Sequence, residues 1–321
     1  MSLNARDWRR HFRATLHRWR VYPLLRAMDR PAFDTYSDES LTLQEALSFF
    51  ASTPELTPAF LKEISPSLVR LLYRMFRMGD DVTAFLLARA LGDLLEDRGL
   101  EEEAASSLLL AGRCSRVLRF HTEGHFLLER ARRCAQRVHP NHPLLIETYN
   151  LLGLICHFTG RLNEAESLYN RSIDLLERCP SQDLLHYTGR TQARLHGMRL
   201  TNLLDLCLVK ARAQTGALRA AEIARARNLQ IQIGADAAGE PMVLGLNEAN
   251  EGEILLVEGR GEEARELLQG CICHYSTDDP AASHALPPMH RLLAFAAAEL
   301  GDMGEAYTHC REGLKHSLLY A

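Results

Sequence analysis

The chain has 321 residues, of which 46% are hydrophobic and 24% are charged, and its formal net charge at pH 7 is −4. This composition is typical of a soluble folded protein and excludes a chain that is disordered throughout. The longest apolar runs, such as residues 292–298, are far shorter than the ~20 residues that a membrane-spanning helix needs. We predict neither a membrane nor nucleic acid as a partner, although the net charge by itself neither attracts nor excludes nucleic acid.

The N-terminus is basic. Residues 1–30 contain eight arginines and two aspartates, and Trp8 and Trp19 lie on one side of a possible helix. We predict a basic arm over residues 1–40 and a helical repeat domain over residues 41–321. The alternative is a mitochondrial transit peptide, because such peptides are rich in arginine and poor in acidic residues.

The eight cysteines lie mostly within apolar helical patterns and have no regular spacing. This arrangement is typical of free, buried thiols in a reducing compartment and not of a disulfide framework. We therefore predict a cytoplasmic protein, with the mitochondrion as the alternative location.

The stretch Ile146–Pro180 predicts a helical hairpin. Apolar residues recur at helical spacing, Gly160 interrupts them, and a second helical run follows. Small residues stand where the two helices cross, Gly153 on the first and Ala165 on the second, and Tyr169 is large enough to fill the space between them. Such a hairpin cannot bury its apolar face alone, so we expect stacked copies.

Copies of this pattern begin at Ser65, Ala105, Ile146, Thr201, Gly245 and Pro287, the last being a residue suited to open a helix. The predicted helix crossings all fall on small residues: Ala84, Gly124, Ala165, Ala220, Ala264 and Ala306. The predicted turns between the two helices fall on Gly79, Arg119, Gly160, Thr215, Gly259 and Gly301. A second frame breaks the period of about forty residues and is rejected; it rests on Gly92, Gly99 and Ala104.

The fourth and fifth copies depart from the pattern. Arg227 stands where a small apolar residue is expected, and Glu248 and Glu251 stand at apolar positions. The longer spacing before the fourth copy indicates an insertion, which we predict to be part of one helix from about Asp183 to Arg212.

These features resemble the tetratricopeptide repeat, whose pattern is W-x2-L-G-x2-Y followed by Ala, an aromatic residue, Ala and Pro. The period of about 42 residues, with His139-Pro140 near a repeat junction, is similar to the kinesin-light-chain type. It is less closely similar to the helical-repeat sensor domains of large bacterial transcription activators. The resemblance covers residues 65–321 and implies an all-α, right-handed superhelix of about six hairpins.

Sequence motifs for catalysis are weak. Residues 259–264 fit the dinucleotide fingerprint G-x-G-x-x-A, but that fingerprint needs a preceding strand and a helix is predicted there. The run Cys271-Ile272-Cys273-His274, with His284 and His290 downstream, has zinc-binding residue types without paired zinc-binding spacing. We therefore predict no enzyme, no cofactor and no metal site.

In the implied superhelix the first helix of each hairpin lines a concave groove. The side chains expected to bind a partner there are basic, amide-bearing or aromatic: Tyr73, Arg77, Arg113, Arg116, Asn150, His157, Asn202, Arg212, Asn250, Arg291 and Phe295. The acidic residues Asp205 and Glu253 face the same way. Arginine recognises carboxylates with two hydrogen bonds, and asparagine both donates to and accepts from a peptide backbone. Alternatively, arginine is simply common in this chain and would appear on any face.

We predict a non-enzymatic adaptor or scaffold whose groove binds an extended acidic segment of a partner protein, as the kinesin-light-chain resemblance also implies. The alternative is a regulatory domain that senses a ligand or peptide within a larger protein. Arg113 and Arg116 are expected to lie off the seam between helices, so that their loss weakens binding without affecting folding. The apolar residues Leu314, Leu318, Leu319 and Tyr320 predict self-association through the C-terminal helix.

Overall fold

The computed structural model describes residues 58–77, 81–236, 240–275 and 282–319. Within these residues the chain forms thirteen helices and no strand, which confirms the all-α repeat fold. The predicted basic arm lies outside the described residues. The chain divides into two compact units, one ending at Ile155 and the other beginning at Cys156.

The helices of the first unit are α1 (Pro58–Arg77), α2 (Asp81–Asp97), α3 (Glu101–Val117), α4 (His121–Val138) and most of α5 (Leu144–Phe158). The second unit holds the end of α5, α6 (Leu162–Arg178), α7 (Ser181–Thr188), α8 (Gln192–Ala213), α9 (Gly216–Asp236), α10 (Pro241–Glu258), α11 (Gly261–Ile272), α12 (Ala282–Glu299) and α13 (Met303–Leu319). Within the two units, contacts between consecutive described helices form five of the six predicted pairs: α1 with α2, α3 with α4, α8 with α9, α10 with α11, and α12 with α13.

The turns within these pairs need a left-handed backbone. Gly160, Gly259 and Gly301 adopt φ values of 77°, 84° and 85°, which cost glycine little because it has no Cβ. Arg119, at the turn between α3 and α4, has a φ of 62°. In the fourth pair the left-handed residue is Gly216, with a φ of 59°, one residue later than the predicted Thr215. The predicted first turn lies outside the described residues.

Small residues let the paired helices approach closely. A Cβ atom added to Gly112 would lie 2.5 Å from a Leu128 side-chain carbon, and one added to Gly252 would lie 2.6 Å from Leu268. Five of the six predicted crossing residues are buried, but Ala220 is exposed, so that prediction is wrong. The start of α9 is exposed, and the helix buries residues further along its length, including Ala226.

The rejected repeat frame nevertheless describes a real helix pair. Gly99 forms a left-handed turn, φ 70°, between α2 and α3. A Cβ atom on Gly92 would lie 2.7 Å from Leu108, and Ala104 is fully buried. The second helix of one hairpin therefore packs on the first helix of the next by the same small-residue rule that operates within a hairpin.

Two predicted helix boundaries in the second unit are wrong. The insertion does not continue as one helix from 183 to 212, because the backbone at Gly189 is left-handed, φ 64°, and separates α7 from α8. Thr191 then caps α8 by accepting a hydrogen bond from the Arg194 backbone N–H at 3.2 Å. Pro287 does not open a helix but lies inside α12, which begins at Ala282.

The unexpected charges of the fourth and fifth repeats compensate one another. The Arg227 guanidinium on α9 donates to both carboxylate oxygens of Glu251 at 2.5 and 2.6 Å. It also donates to the two oxygens of Glu258 at 3.1 and 2.9 Å. Glu248 accepts a hydrogen bond from the Tyr275 hydroxyl at 2.7 Å. Residues that weaken the repeat pattern in sequence thus connect α9 with α10, and α10 with the segment that follows α11.

Five of the eight cysteines are buried and all eight are free, as predicted. Burial raises the pKa of Cys134 and of Cys207 to about 12, so these thiols stay protonated and unreactive at neutral pH. None of the described helices is both long and apolar enough to cross a bilayer.

Candidate partner-binding surface

Arg113 in the first unit is not an open binding residue. It forms an ion pair with Glu147 of α5, and its side chain is only 12% exposed. Its guanidinium carbon lies 5.1 Å from the centre of the Tyr73 ring on α1. Burial opposes the Arg113 charge, but Glu147, with smaller contributions from Tyr73 and Cys114, still raises the pKa of the guanidinium. The expectation that Arg113 lies off the helix seam is therefore wrong, because its side chain is buried where α1, α3 and α5 meet.

The other predicted residues of the first unit are unequally accessible. Arg77 is exposed at the end of α1, Arg116 is half-buried on α3, and Asn150 is buried in α5. Sequence reasoning missed Glu147, although it stands at the second position of its repeat, one of the positions expected to face the groove. The predicted basic stretch of the first unit is thus partly neutralised by its own chain.

In the second unit α8 packs on α10, and α10 packs on α12. Together with the end of α5, these helices form what we call the first-helix surface. Its centre is Glu253 on α10, whose side chain is only 8% exposed. Arg212 of α8 donates to Glu253 Oε1 at 2.8 Å, and Arg291 Nη2 of α12 lies 3.7 Å from Oε2. The two arginine side chains are 46% and 56% exposed.

A second carboxylate lies beside this cluster. Asp205 of α8 has a side chain that is 46% exposed, and His157 Nδ1 is 3.9 Å from its Oδ2. Removal from water raises the pKa of Asp205, and the negative charge of Glu253 raises it further against the opposing effects of His157 and the two arginines. The first-helix surface therefore carries charges of both signs.

The remaining predicted residues surround this cluster. Asn250 is buried, and its amide lies 3.5 Å from the Thr201 hydroxyl. Asn202 is half-buried on α8, and Phe295 is exposed on α12, one turn after Arg291. The structure thus places His157, Asn202, Arg212, Asn250 and Arg291 on α5, α8, α10 and α12 of one unit, together with the carboxylates of Asp205 and Glu253.

The zinc-type residues do not form a metal site in the described part of the chain. Cys271 is buried in an apolar cluster with Ala264 and Leu268, whereas Cys273 and His274 are exposed. His290 instead faces His309 of α13, with their Nδ1 atoms 3.1 Å apart.

The last helix presents an apolar face. Met303, Tyr307 and Leu314 of α13 are exposed, and their spacing places them on one side of the helix. The side chains of Leu318 and Leu319, and all of Tyr320, lie outside the described residues. Self-association through this helix stays a prediction.

The fold defines an all-α protein of repeated helical hairpins. Residues 103–178 match the family model described as tetratricopeptide repeat. This match covers the third and fourth helices and the hairpin of α5 and α6, where the sequence pattern resembles the tetratricopeptide repeat. Repeats of this type are in general non-enzymatic modules for protein interaction.

Solved structures of similar proteins have low sequence identity to this chain. BtubC (BKLC) from P. vanneervenii is 12% identical, with a TM-score of 0.46, over 77% of this chain and 91% of that one. A putative kinesin light chain with nearly identical repeats, from Podosopora anserina, is 15% identical, with a TM-score of 0.36, over 80% and 95%. The assembly chaperone of RpL4, Acl4, is 14% identical, with a TM-score of 0.47, over 81% and 96%. No curated protein sequence matches the chain.

Proposed function

We propose that the first-helix surface binds an extended acidic segment of a partner protein, and that the chain acts as an adaptor or scaffold. One observation carries this proposal: Glu253 is buried and holds two half-exposed arginines, one on each neighbouring helix. The buried carboxylate fixes the two cations in place, while their outer parts stay accessible to a ligand.

This arrangement suits carboxylate recognition. A guanidinium has five N–H donors in a fixed plane, so an arginine bound to Glu253 keeps donors for a second carboxylate. Because Glu253 already orients Arg212 and Arg291, binding costs less side-chain entropy than with freely moving arginines. Phe295, exposed one turn from Arg291, offers a contact for an aromatic residue of the segment.

The test is a peptide-array screen followed by titration calorimetry on the full chain. The double variant Arg212→Ala and Arg291→Ala removes two charge-assisted contacts worth ~1.5–3 kcal/mol each. We expect it to weaken binding of acidic peptides by roughly tenfold or more and to flatten the salt dependence. The control is Arg133→Ala with Arg178→Ala, two exposed arginines outside the surface, which should bind like the parent.

The same measurements can also contradict the proposal or support the alternative function. Neutral or basic peptides as the best binders, or unchanged affinity of the double variant, would contradict the proposal. A small molecule that raises the unfolding temperature when no peptide does would support the ligand-sensing alternative instead. Free and mostly buried cysteines support the cytoplasm as the place of this interaction.

A further inference from the structure

Asp205 is unlike the other carboxylate of the first-helix surface. Glu253 is nearly inaccessible, and both of its oxygens face arginines. Asp205 is 46% exposed, and the His157 nitrogen 3.9 Å away lies beyond hydrogen-bond distance. An accessible carboxylate therefore stands next to the two arginines to which the proposed function assigns an acidic segment.

We propose that the segment bound by this surface also carries a basic residue, whose ammonium or guanidinium group pairs with Asp205. The inference rests on the proposed function and specifies the partner further: a segment of mixed charge, acidic toward Arg212 and Arg291 and basic toward Asp205. A purely acidic segment would bring a carboxylate against Asp205 and be repelled there.

The geometry of α8 sets the spacing in the partner. Asp205 and Arg212 are separated by seven residues of one helix, so their Cα atoms are roughly 10 Å apart at 1.5 Å per residue. An extended chain covers that distance in about three residues. We expect the basic residue to stand two to four residues from an acidic one.

The electrostatics of the free protein agree with this role. The groups that face Asp205 are His157 on α5, Arg212 on its own helix, Glu253 on α10 and Arg291 on α12. Partial burial and Glu253 together raise the pKa of Asp205 against the opposing effects of His157 and the two arginines. A carboxylate with a raised pKa costs folding stability once it is ionised, and a cation supplied by a partner offsets that cost.

The raised pKa of Asp205 determines how folding stability depends on pH. Below the unfolded value near 4, Asp205 is protonated in both states and contributes nothing. As pH rises from the unfolded to the folded pKa of Asp205, the unfolded chain ionises first, so the cost to stability builds up over this window and is fully present above it. Asp205→Asn should therefore raise the unfolding temperature at neutral pH but not at pH ~3.

The binding test uses two arrays of peptides about twelve residues long. In the first, two glutamates and one lysine are permuted over a background of Ser, Gly and Ala; in the second, glutamine replaces the lysine. The parent chain should prefer the best lysine peptide over its glutamine partner by roughly tenfold. Asp205→Asn should remove this preference while leaving the glutamine peptide bound at least as well, and the control Asp174→Asn, on exposed α6 surface, should keep it.

The outcomes separate this inference from the proposed function. If the parent binds both peptides equally, or if Asp205→Asn keeps the preference for lysine, the basic-residue inference is overturned while acidic binding stands. A lower unfolding temperature for Asp205→Asn would also contradict it, since Asp205 would then act only as the structural partner of His157. If neither array binds, both proposals fail. The Arg212→Ala and Arg291→Ala variant should weaken both peptides and keep the lysine preference.

Discussion

Arg113 shows how a single buried partner can turn an expected binding residue into a structural one. In sequence it is one of several arginines expected to face a groove, but in the fold Glu147 neutralises it inside a helix junction. Likewise Arg199 of α8 is fully buried, and its Nε donates to the Ser172 hydroxyl at 3.3 Å. Hydropathy predicts that arginine lies at the surface. The sequence does not show the partner whose hydrogen bonds or charge offset the cost of burying it.

The Arg113–Glu147 pair leads to a stability prediction. Arg113→Ala removes the guanidinium that pairs with Glu147 while the carboxylate stays buried, so we expect the free energy of unfolding to fall by about 3–5 kcal/mol. Replacing both partners together, Arg113→Met with Glu147→Leu, removes the uncompensated charge and should cost much less. Chemical denaturation of the full-length variants measures both. Equal losses in the single and double variants would show that the pair contributes only packing.

At the scale of elements, the helices and most turns were predictable because they depend on local patterns. Helical periodicity fixes each helix, and Gly160, Gly259 and Gly301 mark turns that need a left-handed residue. The errors lie where local signals compete. Gly189 ends α7 within a stretch of helix-compatible residues, and Pro287 is accepted inside α12 although proline commonly opens a helix.

The crossing glycines give a prediction for helix pairing. A Cβ atom on Gly252 would lie 2.6 Å from Leu268, whereas one on Gly270 of α11 would meet nothing within 4 Å. Gly252→Ala should therefore force α10 and α11 apart and cost about 1–3 kcal/mol of unfolding free energy. Gly270→Ala, a matched change in an exposed helical position, should stabilise the protein by up to ~1 kcal/mol. Thermal unfolding of the two variants compares them directly; two shifts of the same sign would contradict the packing account.

At the scale of the whole molecule, the class of fold followed from the repeated hairpin, but the binding surface did not. The repeat frame placed Arg212, Arg291 and Asn250 on first helices correctly. It could not show that Glu253 joins two of them, because the partners stand 41 and 38 residues apart in sequence, on different hairpins. For the same reason, the sequence did not reveal that Glu251 and Glu258 neutralise the charge of Arg227. Spacing predicts which face a residue occupies, and charge pairing across repeats emerges only from the fold.

We propose that an acidic segment binds where α8, α10 and α12 meet. Photo-cross-linking tests it most directly, with a diazirine group placed in the best-binding acidic peptide and the cross-linked residues of the full chain identified by mass spectrometry. We expect cross-links on the first-helix surface, at residues such as Asn202, Asp205 and Phe295, and their loss in the Arg212→Ala and Arg291→Ala variant. Cross-links on the exposed face of α13 around Met303 and Tyr307, or spread over the protein without preference, would contradict it.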